Sequence, residues 1–282
     1  MKSILIGLFS FFLILPSPEE RKIYPEVEFC HPADSFANLA SDPDFLVAHF
    51  LPESLVGFEP NGKMIQLSVE EGKDANAYIL KADQKSEKWL FVIHEWWGLN
   101  DHIKKESEKY FNALGDFNVL ALDLYDGKVA TDRKKAAEYM QSCSKERAEA
   151  IIKSAYEFAG ENAAIGSIGW CFGGGWSLQT GIIGKERAQA SIIYYGMPEK
   201  DPDRLAQLEA SVLGIFAKQE KWITPEIVGD FEEQMNALNK SIEVHMYDAQ
   251  HAFANPSRPS YEKEYADEAF ALSLNFLKEK VN

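Results

Sequence analysis

From about residue 64 onward, short apolar runs alternate with longer stretches in which apolar residues recur every three or four positions. Met64–Val69 and Ala75–Leu80 flank Glu70-Glu71-Gly72-Lys73-Asp74, a turn-rich connection suited to a hairpin. Trp89–His94 is a continuous apolar run of the kind found in a strand buried on both faces. Further strands are predicted at Val119–Leu124, Ile165–Gly169, Ala188–Tyr194, Val212–Ala217 and Ile242–Tyr247. Helical spacing covers Asp101–Leu114, which ends at Gly115, then 132–141, 145–159, Trp176–Ile183, Pro225–Leu238 and Tyr261–Lys278. Strands alternating with helices of this length build βαβ units. They predict an α/β fold with a mostly parallel central sheet and helices on both faces. Such sheets bind ligands beyond the carboxyl ends of their strands, so the polar residues placed there are the ones to examine.

The first 60 residues break this rhythm. Lys2 is the one charge before an apolar run from Ile4 to Leu15, and Pro16-Ser17-Pro18 ends the pattern. The run is too short for the roughly 20 apolar residues of a membrane span and has the length of a secretory signal. Residues 1–18 therefore read as a signal peptide and the protein as exported, periplasmic or secreted; an uncleaved anchor or a buried N-terminal helix are the rivals. Residues 19–60 interleave Pro, Glu and Asp with Phe36, Phe45 and Phe50, which predicts an ordered extension packed on a single domain at 61–282.

Composition narrows the partners. The chain has 282 residues, 46% of them apolar, enough to fill a large core. Its net charge is −15 and no Lys/Arg cluster forms a basic patch, which argues against a nucleic-acid partner and weakly against a polyanionic substrate. The expected partner is a small molecule, with no stable membrane span, no cofactor and a monomeric state. The three cysteines, Cys30, Cys143 and Cys171, show no C-x-x-C spacing, so a zinc ribbon or a thioredoxin-like site is unsupported. In an oxidising compartment Cys30 and Cys143 could pair; two unpaired, partly buried thiols are the simpler expectation.

Cys171 lies in Gly169-Trp170-Cys171-Phe172-Gly173, after a strand-like run and before a helical one, with Gly174 and Gly175 following. That is the strand–turn–helix context of the G-x-S-x-G nucleophile elbow, with sulfur in place of oxygen. So tight a turn holds the nucleophile in strained backbone and leaves no room for flanking side chains. The helix N-terminus then favours a thiolate and stabilises an oxyanion. Most cysteines are small core residues, and a phosphate-cradling loop is the other reading of a glycine-rich turn. Neither G-x-G-x-x-G nor the lysine-containing phosphate-loop spacing fits.

A thiol of ordinary pKa, about 8.5, needs a base at neutral pH. His251 follows the Ile242–Tyr247 run and precedes the last helix, the place at which a histidine can reach the elbow. The order nucleophile, acid, histidine then puts the acid between Cys171 and His251. Glu220 follows the Val212–Ala217 run and precedes Thr224-Pro225, a helix start, so it occupies a loop at a strand's carboxyl end. Asp248 and Asp230 are its rivals, the first too close to His251 in sequence and the second on a helix face. His94, His102 and His245 read as structural.

His94-Glu95-Trp96-Trp97-Gly98-Leu99-Asn100 closes an early strand and faces the same rim. Glu95-x-x-Gly98-Leu99-Asn100, Asp123-Leu124-Tyr125, Gly169-Trp170-Cys171-Phe172-Gly173-Gly174, Tyr195-Gly196 and His251-Ala252-Phe253-Ala254 together resemble the dienelactone hydrolase family over roughly residues 60–280. The resemblance implies one α/β-hydrolase domain without a large lid, in which Cys171 attacks an ester or lactone carbonyl. It implies Glu95 as the residue that takes the thiol proton or holds the thiol at rest. It further implies backbone N–H groups of Phe172 and Trp96 as the oxyanion hole, His251 as general base and Glu220 at the family's usual aspartate position. Members acting on dienelactones set arginines around the substrate carboxylate; here Asn255 stands in one such region and Lys128 near the other, with Trp97 as a candidate substrate wall. The expected activity is cofactor-independent hydrolysis of a small ester or lactone through a thioester. The rivals are a non-catalytic binding or scaffold protein that keeps the fold and, more weakly, a peroxide-sensing thiol.

Overall fold

The computed structural model describes residues 38–282, so the predicted signal segment 1–18, Cys30 and the first half of the extension lie outside the described residues. Eight strands form one sheet: β1 (Lys63–Leu67), β2 (Ala75–Leu80), β3 (Lys88–Ile93), β4 (Asn118–Leu122), β5 (Ala164–Trp170), β6 (Ala188–Tyr194), β7 (Ser211–Ala217) and β8 (Ile242–Tyr247). Their spatial order is β1-β2-β4-β3-β5-β6-β7-β8. The β1–β2 hairpin and the β2–β4 pair are antiparallel, and every other pair is parallel. The apolar runs read from the sequence are these strands. β3, β4 and β5 are buried along almost their whole lengths, as strands covered on both faces must be.

The helices are α1 (Pro43–Ala48), α2 (Asp101–Leu114), α3 (Arg133–Ser142), α4 (Lys145–Ala159), α5 (Phe172–Gly184), α6 (Pro202–Leu205), α7 (Pro225–Ala237) and α8 (Lys263–Lys280). Their starts follow from the chain's own caps: Asn100, Asp132, Ser144 and Thr224 each accept an N–H bond from the first turn they precede. The path runs β3–α2–β4 towards one edge of the sheet, then α3 and α4 carry it back across β3 to β5, and β6, β7 and β8 continue the other way. Right-handed crossovers in opposite directions put α2 and α8 on one face, where they pack together, and α4 and α5 on the other. The reversal of direction at β3 makes the ends of β3 and β5 a topological switch point, the place where such sheets open a crevice.

Two short elements were not evident in the sequence. α6 has only four residues, below the length at which periodicity can register. α1 lies in the extension, with Asp42 as its cap and Pro43 in its first turn. It lies against the domain: Phe45 is fully buried, its ring 5.5 Å from that of Trp96 and 5.1 Å from that of Trp222. Contact with the domain centres on α1 and His49, while Phe50, Leu51 and Val56 beyond it are exposed.

Candidate active site

β5 ends at Trp170 and α5 begins at Phe172, so Cys171 alone makes the turn between them. Its backbone has φ +57° and ψ −119°, a conformation that costs a non-glycine residue on the order of 1–3 kcal/mol and persists only where the surroundings impose it. Those surroundings are backbone. A Cβ on Gly169 would lie 2.0 Å from the Gly173 carbonyl oxygen, and one on Gly173 would lie 2.4 Å from that of Ile93. The glycines are there because strand, elbow and helix touch with no space for a side chain. The N–H of Phe172 lies in the first turn of α5 and so has no acceptor within its own helix. Trp96 lies in the turn just beyond β3, the next strand in the sheet.

Glu220 and His251 come from the loops after β7 and β8, and the structure brings them together. Glu220 Oε2 lies 2.5 Å from His251 Nδ1, while its Oε1 accepts the N–H groups of Lys221 at 3.1 Å and Trp222 at 3.3 Å. The longer arm of Glu is thereby tied back to its own loop and still reaches the imidazole. Burial acts to lower the His251 pKa, but the charges of Glu220 and Cys171 outweigh it and raise it to about 10. Burial pushes Glu220 up, and the opposing charge and hydrogen bond of His251, with the two backbone N–H groups, leave it below its ordinary value. His251 Nε2 is buried and makes no hydrogen bond of ordinary geometry. One ligand atom from each of Cys171, His251 and His49 lies within 4.8 Å of the others. Of the rival acids, Asp248 takes a bond from Gln219 and Asp230 is exposed on α7.

Glu95 is buried at the carboxyl end of β3, where its Oε2 accepts from Asn255 Nδ2 at 2.9 Å. The thiol's own polar contact is elsewhere: Cys171 Sγ lies 3.7 Å from His49 Nε2. Lys128 is not brought to the site. It is exposed, with its ammonium 5.3 Å from the centre of the Tyr139 ring, because Asp126 and Gly127 both turn the chain at positive φ and aim the next residue outward. Trp97 is only 1% exposed and stands behind the wall, with the Arg258 guanidinium 5.7 Å from its ring centre. His94, His102 and His245 are structural: His94, for one, accepts the Leu124 N–H at Nε2 and donates from Nδ1 to the Glu95 carbonyl. Cys143 is a free thiol that donates to the Leu124 carbonyl, and burial pushes its pKa up to about 12.

Two residues escaped the sequence reading. Arg258, seven positions after His251, is 6% exposed, bonds the Phe50 carbonyl and has a buried Nε with no hydrogen-bond partner. His49, directly after α1, is 2% exposed and donates from Nδ1 to the Phe45 carbonyl at 2.7 Å. Burial, followed by the charges of His251 and Arg258, holds its pKa well below the ordinary value. The Asp-Pro-Asp cap of α1 was a usable signal for the helix; nothing in the sequence tied its last turn to an elbow 122 residues away. A cavity of about 640 Å³ is lined by Glu95, Asn100, Asn255 and Arg258, and one of about 450 Å³ by Glu220, His251 and Trp222. Phe50 and Pro259 line both, so the extension separates the two spaces.

A family-wide sequence model, that of the dienelactone hydrolase family, matches residues 75–281. The chain belongs to the dienelactone hydrolase family. The matched segment holds β2 to α8 and every member of the Cys171–Glu220–His251 set, while His49 lies outside it. Among relatives, "Protein usf" of Aquifex pyrophilus is 26% identical, over 77% of this chain and 98% of that protein. A putative carboxymethylenebutenolidase of Aquifex aeolicus is 25% identical, over 79% and 97%. Among solved structures, a putative dienelactone hydrolase from Klebsiella pneumoniae superposes with a TM-score of 0.68 at 19% identity, covering 77% of this chain and 98% of its own. A dienelactone hydrolase from Anabaena variabilis gives 0.59 at 14%, covering 80% and 100%. These superpositions establish the α/β-hydrolase fold.

Proposed function

We propose that this protein hydrolyses a small carboxylic ester or lactone through a Cys171–His251–Glu220 triad. Family membership carries the reaction class. The single observation that carries the mechanism is a cysteine on a strained strand-to-helix turn beside an imidazole whose far nitrogen is held by a buried carboxylate. Cys171 sulfur, as thiolate, adds to the carbonyl carbon, and the oxyanion is held by the N–H groups of Phe172 and Trp96. The carbonyl re-forms as the C–O bond breaks, and the His251 imidazolium gives its proton to the leaving alkoxide. The acyl group then sits on sulfur as a thioester. His251, now neutral, takes a proton from water, the hydroxide adds to the thioester, and the acid leaves as the thiolate re-forms. Throughout, Glu220 keeps the imidazole in one tautomer and stabilises its charged form.

The substrate has an anionic group in this reading. Arg258 is a buried guanidinium whose Nε has no hydrogen-bond partner, on the wall of the larger cavity beside Asn255 and Glu95. A carboxylate there would gain charge-assisted hydrogen bonds. Glu95 serves as a cavity-wall carboxylate held by Asn255. The proposal also includes export, supported by Lys2 and the Ile4–Leu15 run. N-terminal sequencing of protein purified from its native cells checks it; a start at Met1 removes the cleaved signal.

Hydrolysis of short p-nitrophenyl esters tests the chemistry. Cys171→Ala is expected to lower kcat/KM by at least about 10³-fold, with acyl-enzyme trapped on sulfur in the wild type. Activity retained in full by the variant overturns the mechanism. A chain that binds such esters without turning them over is the binding protein instead.

A further inference from the structure

The residue that closes over the nucleophile is a histidine, and its orientation is specific. His49 spends its Nδ1 proton on the Phe45 carbonyl at 2.7 Å, which leaves Nε2 as a lone pair 3.7 Å from Cys171 Sγ. His251 spends its Nδ1 proton on Glu220 at 2.5 Å, and its Nε2 is buried and without a bond of ordinary geometry. Two imidazoles thus turn their Nε2 atoms toward one sulfur, each oriented from behind by an oxygen acceptor; His49 offers a lone pair, and His251 becomes a ligand once its Nε2 proton leaves. That is the arrangement by which metal-binding histidines are fixed: the second nitrogen donates to a carboxylate or a backbone carbonyl. The distances agree. Bonds of about 2.3 Å to sulfur and 2.0–2.1 Å to nitrogen put the two ligand atoms roughly 3.5 Å apart across a tetrahedral ion. The Sγ–Nε2 separation of 3.7 Å is already close to this, and the three ligand atoms lie within 4.8 Å of one another.

We propose that Cys171 Sγ, His251 Nε2 and His49 Nε2 form a three-ligand site for a thiophilic divalent cation of the zinc class, which ties the extension to the nucleophile and holds the hydrolytic centre shut. Sulfur with two imidazoles selects zinc-like ions over magnesium or calcium, which prefer oxygen. Binding forms one metal–sulfur and two metal–nitrogen bonds and releases to solvent the one proton that the Cys171–His251 pair holds; no electrons are transferred. The ion's two charges are then met by the thiolate and by Glu220 behind His251. Of the three ligands, His251 lines the cavity of about 450 Å³, which opens on the side of the imidazole that Glu220 holds. His49 lies outside the segment that matches the family, so the family match does not account for it.

The site is tested by titrating Co²⁺ and then Zn²⁺ into the reduced full-length protein. One Co²⁺ per chain is expected, with a sulfur-to-cobalt charge-transfer band that Zn²⁺ displaces. Cys171→Ser abolishes the band. His49→Ala and the bulkier His49→Gln each weaken binding at least tenfold, and the zinc-induced rise in Tm shrinks with them. No band in the wild type, or affinity within twofold of wild type in both His49 variants, overturns the site. The closing of the hydrolytic centre rests on the proposed activity, and its readout is separate. Zinc is expected to stop p-nitrophenyl ester hydrolysis, a chelator to restore it, and His49→Ala to raise the inhibiting concentration at least tenfold. A chain that binds cobalt through Cys171 but hydrolyses nothing keeps the site and loses the activity; a chain that hydrolyses esters and shows no band does the reverse.

Discussion

At the scale of single residues, the Glu220–His251 pair has a pH signature. His251 is raised to about 10, so its contribution to stability is full below its unfolded value near 6.5 and is lost as pH rises through 10. Glu220 is lowered, so its contribution is present above its unfolded value near 4.5 and is lost as pH falls through its folded one. Glu220→Gln should therefore cost most Tm between about pH 4.5 and 6.5, and wild type and variant should converge towards pH 10. Melting curves across that range check it; a gap that does not vary with pH means the pair is not ionic. The same variant should lose about 10²–10⁴ in kcat, because an amide at this position no longer fixes the imidazole tautomer. Arg258→Gln should act differently. It should raise KM for esters that carry a carboxylate about tenfold or more and leave neutral esters nearly unchanged, as steady-state kinetics with a matched pair of substrates would show.

At the scale of elements, the elbow and α1 make opposite demands. Gly173→Ala would drive a Cβ to 2.4 Å from the Ile93 carbonyl and 2.5 Å from that of His94, so β3 and α5 must part. The expected loss is about 3 kcal/mol or more, read from denaturant melts. α1 is held by one buried aromatic and a few polar ties, so Phe45→Ala should spare the domain but loosen its cover. A thiol reagent should then modify Cys171 at least tenfold faster, a rate that distinguishes a loosened cover from a damaged elbow. This contrast explains what was legible in the sequence. Strands such as Leu90–Ile93 and the elbow announce themselves through local pattern: continuous apolar runs, then glycines where backbones touch. Glu220 was legible because a strand end and a helix cap bracket it. His49, Arg258 and the outward turn of Lys128 were not, because tertiary contacts across the crevice decide their places and no local period records them.

At the scale of the whole molecule, the extension and the domain share a seam. Asp42 accepts the Trp222 indole N–H at 3.0 Å, two residues from Glu220. Arg133 donates to the His49 carbonyl at 2.7 Å, and Arg258 donates to that of Phe50. The loop that carries Glu220 is therefore also a mooring for the cover, so lifting α1 loosens that loop as well as exposing sulfur. The two relatives described above are matched over 97–98% of their own length by only 77–79% of this chain. For this protein, trimming to that shorter length is a question of solubility. Without residues 38–60, the Phe45 contact surface on Trp96 and Trp222 would face water as an aromatic patch beside the crevice mouth. Such a patch recruits whatever apolar surface it meets first, including its own copy. Preparations of the shortened chain would turn cloudy on concentration, a handling defect traceable to one missing phenylalanine.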